Sequence, residues 1–348
     1  MTETKNQHVS PGALLALSQM LTGYWTSQAV YVAAKLGIAD GLANGAKNSR
    51  ELASLTGAHA PTLHRLLRAL ESLGVLADAG EGRFTLTPLG SCLRSGAAGS
   101  LRSLAITLGE EHYVAWGELL DSVRTGRAAF DRAYGTGFFA YLTKHPASGE
   151  TFHAAMAELA ALHAPALLAV YDFSAFTRVV DVGGGSGALL AAILGAHPAL
   201  RGVVFDSPEA IEIARERLAV AGLADHAEAV AGDFFESVPG GGDLYILRQI
   251  IHDWDDARAM RILTHCRHAM AAPAKLLIFE HVVPPGGGTS FAKLLDLNMI
   301  VISGGRERTE EEFRALLDAA GFRLARLIPT PAMLSVLEAA PARKGPSI

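Results

Sequence analysis

The sequence has little of what marks a secreted, metal-clustered or membrane-spanning protein. Its 348 residues hold only two cysteines, Cys92 and Cys266, far apart. That excludes a disulfide framework and a cysteine metal cluster, and it suits a reducing cytoplasm. No uninterrupted apolar run reaches the roughly 18 residues of a membrane span. The polar first ten residues lack the cationic start and apolar core of a signal peptide. Charge of one sign is also scarce: the formal net charge is −5, which argues against general affinity for nucleic acid or an anionic membrane. A soluble, cytoplasmic protein is expected. Internal repeats and low-complexity segments are missing too.

What is present suits two domains. Half of the residues are hydrophobic, enough for a sizeable core. The first half reads as helical. Residues 13–37 form a long apolar-periodic stretch. Ser49 is the expected N-cap of a helix over 51–56, stopped by Gly57. Pro61 opens a further helix in which Leu63, Leu66, Leu67, Leu70 and Leu73 repeat at helical spacing up to Gly74. Residues 75–86 then read as a β-hairpin. Helix, turn, helix and hairpin make a winged-helix pattern. As a DNA reader its second helix offers only His64, Arg65 and Arg68 among leucines, whereas base readout needs several contacting side chains and flanking cations. A scaffold for packing or subunit contact is the expectation. Residues 101–171 stay helical and carry Tyr113, Trp116, Phe130, Tyr134, Phe138, Phe139, Tyr141 and Phe152. Most of these are core, and a few suit the wall of a flat apolar ligand.

At about residue 176 the texture changes. Strands are expected over 178–182, 202–206, 227–231, 243–250 and 275–283, with helices up to about 195, over 208–221 and over 256–270. This alternation implies an α/β fold with a parallel sheet covered on both faces. Ligands of such sheets bind beyond the strand C-termini, near the reversal of strand order.

The strongest local signal is Val180-Asp181-Val182-Gly183-Gly184-Gly185-Ser186-Gly187. Glycines after a strand permit a tight turn and close approach of backbone to a ligand, at a positive helix N-terminus. A P-loop is excluded because no Gly-Lys-Ser/Thr follows. Gly183, Gly185 and Ala188 also satisfy the dinucleotide pattern, and Asp206 at the end of the second strand can hold ribose hydroxyls in either case. Two features favour a different cofactor. Asp181 suits the ammonium of an amino-acid ligand and sits badly beside a pyrophosphate. Gly232-Asp233-Phe234 after the third strand places an acid for an adenine amine and an aromatic for its ring. A turn or helix cap is the plainer role for Asp233.

On these motifs, the chain resembles the S-adenosylmethionine-dependent O-methyltransferases of the plant caffeate and bacterial polyketide-tailoring type. The resemblance covers nearly the whole chain. It is carried by Val180 to Gly187, Phe205-Asp206-Ser207-Pro208, Gly232-Asp233-Phe234-Phe235, Leu247 to Trp254, Ile278-Phe279-Glu280 and Gly304-Gly305-Arg306-Glu307-Arg308-Thr309. It implies a Rossmann-like methyltransferase sheet preceded by a mostly helical, winged-helix-like dimerisation domain. The expected division is 1–100 for dimerisation, 101–170 as a helical connector contributing to the substrate pocket, and 171–348 for the catalytic domain. It further implies that Gly183, Asp206, Asp233, Phe234 and Arg248 contact S-adenosyl-L-methionine, and that His252 is the catalytic base with Glu280 and Glu307 beside it. Met156 and Asn298 fall at positions that resemble the substrate pocket. Ser207 stands where the family often has Leu, and Arg248 where plant members carry Lys. A homodimer acting on a small hydroxylated aromatic is implied, without metal.

The residues support that chemistry. A phenol has a pKa near 10, whereas an imidazole near 6.5 is neutral and available as a base at pH 7. Glu280 at the next strand end can fix its tautomer, as an acid partner does in a triad. Glu307 can do the same or position the acceptor. Trp254 either packs over the adenine or fills core. Asp253, Asp255 and Asp256 can suggest Mg²⁺, but the latter two more naturally open a helix. Three rivals remain: a DNA-binding regulator, a dinucleotide oxidoreductase, and a methyltransferase fold turned to other chemistry. Nitrogen and carbon acceptors also stay open.

Overall fold

In the computed structural model, which describes residues 10–271 and 273–342, the apolar stretch expected as one helix forms two. They run Pro11–Leu21 and Gly23–Lys35, parted at Thr22, whose hydroxyl donates back to Ser18 O at 2.9 Å. The next boundary also corrects the sequence reading. Asn48, not Ser49, caps the Ser49–Thr56 helix. Its Oδ1 accepts the N–H groups of Arg50 and Glu51 at 2.9 and 3.0 Å, and the Glu51 carboxylate accepts the Asn48 N–H at 2.7 Å. Reciprocal bonding of this kind satisfies two otherwise orphaned donors. The Ala60–Ser72 helix follows and buries Leu63, Leu67 and Leu70. Strands β1 (Lys47–Asn48), β2 (Leu76–Asp78) and β3 (Arg83–Leu86) then form a three-stranded antiparallel sheet in the order β1-β3-β2. The winged-helix arrangement is thus complete. His64 packs its ring edge-on against Phe84 at 5.8 Å.

The chain divides into two compact units between Glu110 and Glu111. The Arg102–Gly109 helix joins the first unit because it docks on the Gly23–Lys35 helix. A Cβ on Gly109 would collide with the Tyr31 ring, and Gln28 Nε2 donates to Gly109 O at 3.2 Å. Residues 111–170 belong to the second unit.

That unit is built on β4 (Arg178–Val182), β5 (Arg201–Asp206), β6 (Ala227–Ala231), β7 (Leu244–Arg248), β8 (Lys275–Glu280), the short β9 (Val282–Val283) and β10 (Arg308–Thr309), β11 (Phe322–Pro329) and β12 (Ser335–Pro341). Seven of them make one sheet in the order β11-β12-β8-β7-β4-β5-β6. Strands β4 to β8 pair in parallel, whereas β12 runs antiparallel to both β8 and β11. The wholly parallel sheet expected from sequence is therefore extended by two strands that were not anticipated. A register shift between Leu324 and Arg326 interrupts the period-2 pattern that would have marked β11. One face of the sheet packs on helices Asp256–Ala269 and Glu310–Ala319, through Val180, Tyr245 and Ile278. The other packs on Pro146–Val170, Ala188–Ala196 and Pro208–Val220, through Val179, Ile246 and Phe279. Burial on both faces explains the near-continuous apolar strands. By length and hydropathy Pro146–Val170 is the one helix among the described residues that can cross a bilayer. Here it lies on the sheet side and buries Ala155, Ala160, His163, Ala164 and Leu167.

The strand order reverses at β4, with β5 on one side and β7 on the other. That opens a crevice at the C-terminal ends of β4 and β7.

Asn48→Ala should lower the stability of the first unit by about 0.5–2 kcal/mol. Ser49→Ala should change it little, as read from urea unfolding of both variants.

Candidate active site

Beyond β4 the chain turns through Gly183, Gly185 and Gly187, at φ of +70°, +55° and +68°. A Cβ on Gly183 would collide with Ile250, and one on Gly184 would stand 2.8 Å from Asp181 Cγ. A Cβ on Gly185 would meet nothing within 4 Å. The turn is thus packed from beneath and open at Gly185. Asp206 borders it: its carboxylate accepts Gly185 N–H at 2.8 Å and Ser207 N–H at 2.6 Å, and burial raises its pKa. Asp181, expected to receive the cofactor's ammonium, is 1% exposed and lies beneath Gly184. Burial lifts its pKa to about 7 against the opposing Arg248 cation, and its Oδ2 is buried without a partner.

The other expected cofactor residues gather on the same side. Phe234 lies 3.7 Å from the position of a Cβ on Gly183. Exposed Asp233 uses Oδ1 to accept the Phe235 N–H at 2.7 Å, which is the turn role weighed for it. Arg248 closes β7, donating to Gln249 Oε1 at 2.7 Å and to Met156 O at 3.4 Å. Trp254 stacks on Phe139 at 5.3 Å and meets Phe235 edge-on at 4.8 Å. Asn298 Oδ1 accepts the Trp116 indole N–H at 2.9 Å.

The segment after β7 carries His252. Gln249 takes a left-handed φ of +52°, which ends the strand two residues earlier than expected and starts a 3₁₀ turn over Ile251–Asp253. His252 Nδ1 lies 2.7 Å from Glu307 Oε1, so Nδ1–H donates to the carboxylate and the neutral ring keeps its lone pair on Nε2. Glu280 does not touch the ring. Its Oε1 accepts the backbone N–H groups of Ile250, Ile251 and His252 at 3.1, 2.6 and 3.2 Å. Fixing the tautomer therefore falls to Glu307, and Glu280 anchors the turn. An ordinary imidazole was expected. Burial disfavours its charge, yet Asp253, Glu307 and Glu280 outweigh burial and raise the His252 pKa to about 10. Asp253 Oδ1 stands 3.8 Å from Nε2. The remaining acids are spent elsewhere: Asp255 caps the following helix through Arg258 N–H at 2.8 Å, and Asp256 pairs with Arg308 at 2.7 Å.

Two family models match the chain, the O-methyltransferase domain over residues 116–323 and the O-methyltransferase dimerisation domain over 18–96. The chain belongs to this O-methyltransferase family. It is 48% identical over 341 residues to the phenazine O-methyltransferase of Lysobacter antibioticus, covering 98% of this chain and all of the relative. It is 35% identical to the phenazine-1-carboxylate N-methyltransferase of Pseudomonas aeruginosa, covering 93% and 96%. The solved O-methyltransferase of neocarzinostatin biosynthesis, in complex with S-adenosylmethionine and 2-hydroxy-5-methyl naphthoic acid, superposes with a TM-score of 0.78 at 36% identity, covering 91% and 96%. The protein is an S-adenosylmethionine-dependent methyltransferase of secondary metabolism. Its glycine turn fits that cofactor, since the space at Gly185 lies beside the Asp206 carboxylate and Phe234 lies beside Gly183.

Two groups beside these residues were not singled out from the sequence. His163 is buried, with Nδ1 unpartnered, and burial together with Arg248 and His281 lowers its pKa to about 4. It shares a helix face with Met156, seven residues earlier, and that spacing was available in the sequence. Asp296 accepts the Glu307 N–H at 2.9 Å, a contact that no local pattern announces.

The loop bearing Glu307 reaches His252 because residue 305 is glycine. A Cβ there would collide with His252 O and stand 2.7 Å from Asp253 O, both backbone atoms. Gly305→Ala in the methyltransferase should cost about 1–3 kcal/mol, the range for overpacking. Turnover should fall while S-adenosylhomocysteine affinity, measured by calorimetry, stays within a few-fold.

Proposed function

We propose that the protein transfers the methyl group of S-adenosylmethionine to a hydroxyl of a small aromatic acceptor, with His252 as general base. The observation that carries this is His252, held by Glu307 at Nδ1 and turned so that Nε2 is left to take the acceptor's proton. In this reading Gly183, Gly185 and Arg248 hold the cofactor, Asp206 its ribose, and Asp233, Phe234 and Trp254 its adenine, with Asp181 beneath the turn. Met156 and Asn298 lie on the acceptor side, beside Arg248 and Trp116 respectively. The aromatic class follows from the phenazine and naphthoate in the names of the relatives. The 35%-identical N-methyltransferase makes an aromatic nitrogen the second reading, with the same base.

When bound, S-adenosylmethionine supplies a methyl group already activated by its sulfonium. The chain contributes alignment and proton removal, and a positioned general base contributes roughly 10²–10⁴-fold. Only neutral His252 can accept a proton. Its surrounding carboxylates favour the imidazolium, and positive charge beside it shifts it toward neutrality.

The test is S-adenosylhomocysteine release with 2-hydroxy-5-methyl naphthoic acid, a hydroxyphenazine and an aromatic amine as probes. His252→Ala should abolish release and leave S-adenosylhomocysteine affinity nearly intact; unchanged release removes His252 from the mechanism. Turnover should rise with pH as imidazolium is lost. Glu307→Gln removes a carboxylate that favours imidazolium, so the acid limb should move to lower pH, by about 1–3 units. A limb that stays put would separate Glu307 from the base.

We also read the first unit as the interface of a homodimer in the cytoplasm. The Pro11–Leu21 helix buries no residue, and Leu14, Leu17 and Leu21 are exposed by 56%, 55% and 68% at helical spacing. Apolar faces of that size mark interaction sites. Light scattering should give twice the chain mass, and the Leu17→Asp, Leu21→Asp double variant half that value. A monomeric parent protein would dismiss the reading.

A further inference from the structure

The base sits on a three-residue 3₁₀ turn that has little structure of its own. Short turns of this kind expose N–H groups at one end and carbonyls at the other. The N–H end is met by Glu280. The carbonyl end is met by the loop that follows the Phe291–Ile302 helix. Arg306 N–H donates to His252 O at 2.8 Å. Arg308, 1% exposed, donates through Nη1 to Ile251 O at 3.0 Å and through Nη2 to Trp254 O at 2.9 Å. Its Nε and Nη2 also reach Asp256 Oδ1 at 3.0 and 2.7 Å. One guanidinium therefore grips the residue before His252, the second residue after it, and the first turn of the next helix. Its backbone is fixed in turn, since β10 pairs with β9 just beyond Glu280, with Arg308 opposite Val282.

We propose that Arg308 is a positioning residue for the methyl-transfer reaction, holding the His252 turn in the register that lets Glu307 meet Nδ1. The proposal rests on the reading of His252 as base. The planar fork matters more than the charge. Three acceptors in different directions suit the donors of a guanidinium, and a lysine ammonium is a single point on a flexible stem. Arg308 and Glu307 are also neighbours in sequence, so the grip on the turn and the bond to its imidazole move together.

Arg308→Lys keeps the charge and loses the fork. It should lower turnover on the hydroxylated probes by about 10²-fold, the effect of an ångström-scale misplacement, with S-adenosylhomocysteine affinity held within a few-fold. The decisive readout needs no acceptor. The downfield proton resonance of His252 Nδ1–H, recorded with S-adenosylhomocysteine bound, should be present in the parent protein and broadened or lost in Arg308→Lys. Asp256→Asn removes the exposed charge that meets Arg308 and, at 3.6 Å, Arg306, and guards against a variant that fails to fold; it should weaken the resonance while the protein stays folded. A resonance unaltered in both variants overturns the proposal, as does a loss of S-adenosylhomocysteine binding in step with turnover. Turnover retained in His252→Ala sinks the base reading instead, and the resonance still decides the role of Arg308.

Discussion

The carboxylate of Glu280 accepts three consecutive backbone N–H groups at the end of the neighbouring strand, and the reactive end of the sheet hangs from that contact. A fully buried carboxylate is costly unless its charge is met by donors. Here the donors belong to a turn that is itself short of partners. Oε2 is buried without a partner, whereas Oε1 meets the turn's donors. The turn thereby becomes part of the rigid sheet, although β7 has already ended at Arg248. His252 inherits the sheet's rigidity without being in a strand. The loop carrying Glu307 docks against the same turn, and Asp296 fixes it from the other side.

This arrangement explains why three acids of similar appearance do different things. Glu280 is aimed at backbone, so it sets geometry. Glu307 is aimed at Nδ1, so it sets the tautomer. Asp253 stands 3.8 Å from Nε2, too far for a hydrogen bond, so it acts through its charge. Burial pushes the pKa of Asp253 and of Glu280 upward, to about 6 and about 7, and the imidazolium opposes both shifts. The charges therefore adjust as one set.

Much of this was legible in the sequence because strand ends advertise themselves. The glycine run, Asp206, Asp233 and His252 each follow an apolar strand, and a parallel sheet brings strand ends together without further information. What stayed hidden depended on direction. Nothing in the order of residues says that Glu280 turns toward backbone while Glu307 turns toward the ring. Nor does it say that Asp181, two residues before the turn, lies under it. Strands β11 and β12 were missed for a related reason: a bulge breaks the alternation of β11. Asn48 took the capping role expected of Ser49 because a capping box needs its acid three residues on, and Glu51 stands at that distance from 48, not from 49.

On the reading of His252 as general base, its raised pKa bears on how a base can be both strong and available. A general base works best when its pKa lies near the operating pH, because correct protonation and driving force then coincide. Three carboxylates raise the pKa of this imidazole above that optimum and favour its charged form. In the proposed chemistry, the sulfonium of S-adenosylmethionine would add positive charge to the same crevice, which favours loss of the proton from His252. An imidazole without its acids would be mostly neutral at pH 7 and a weaker base. If His252 is the base, the carboxylates around it set its strength, and Glu280 and Arg308 hold the turn on which it sits.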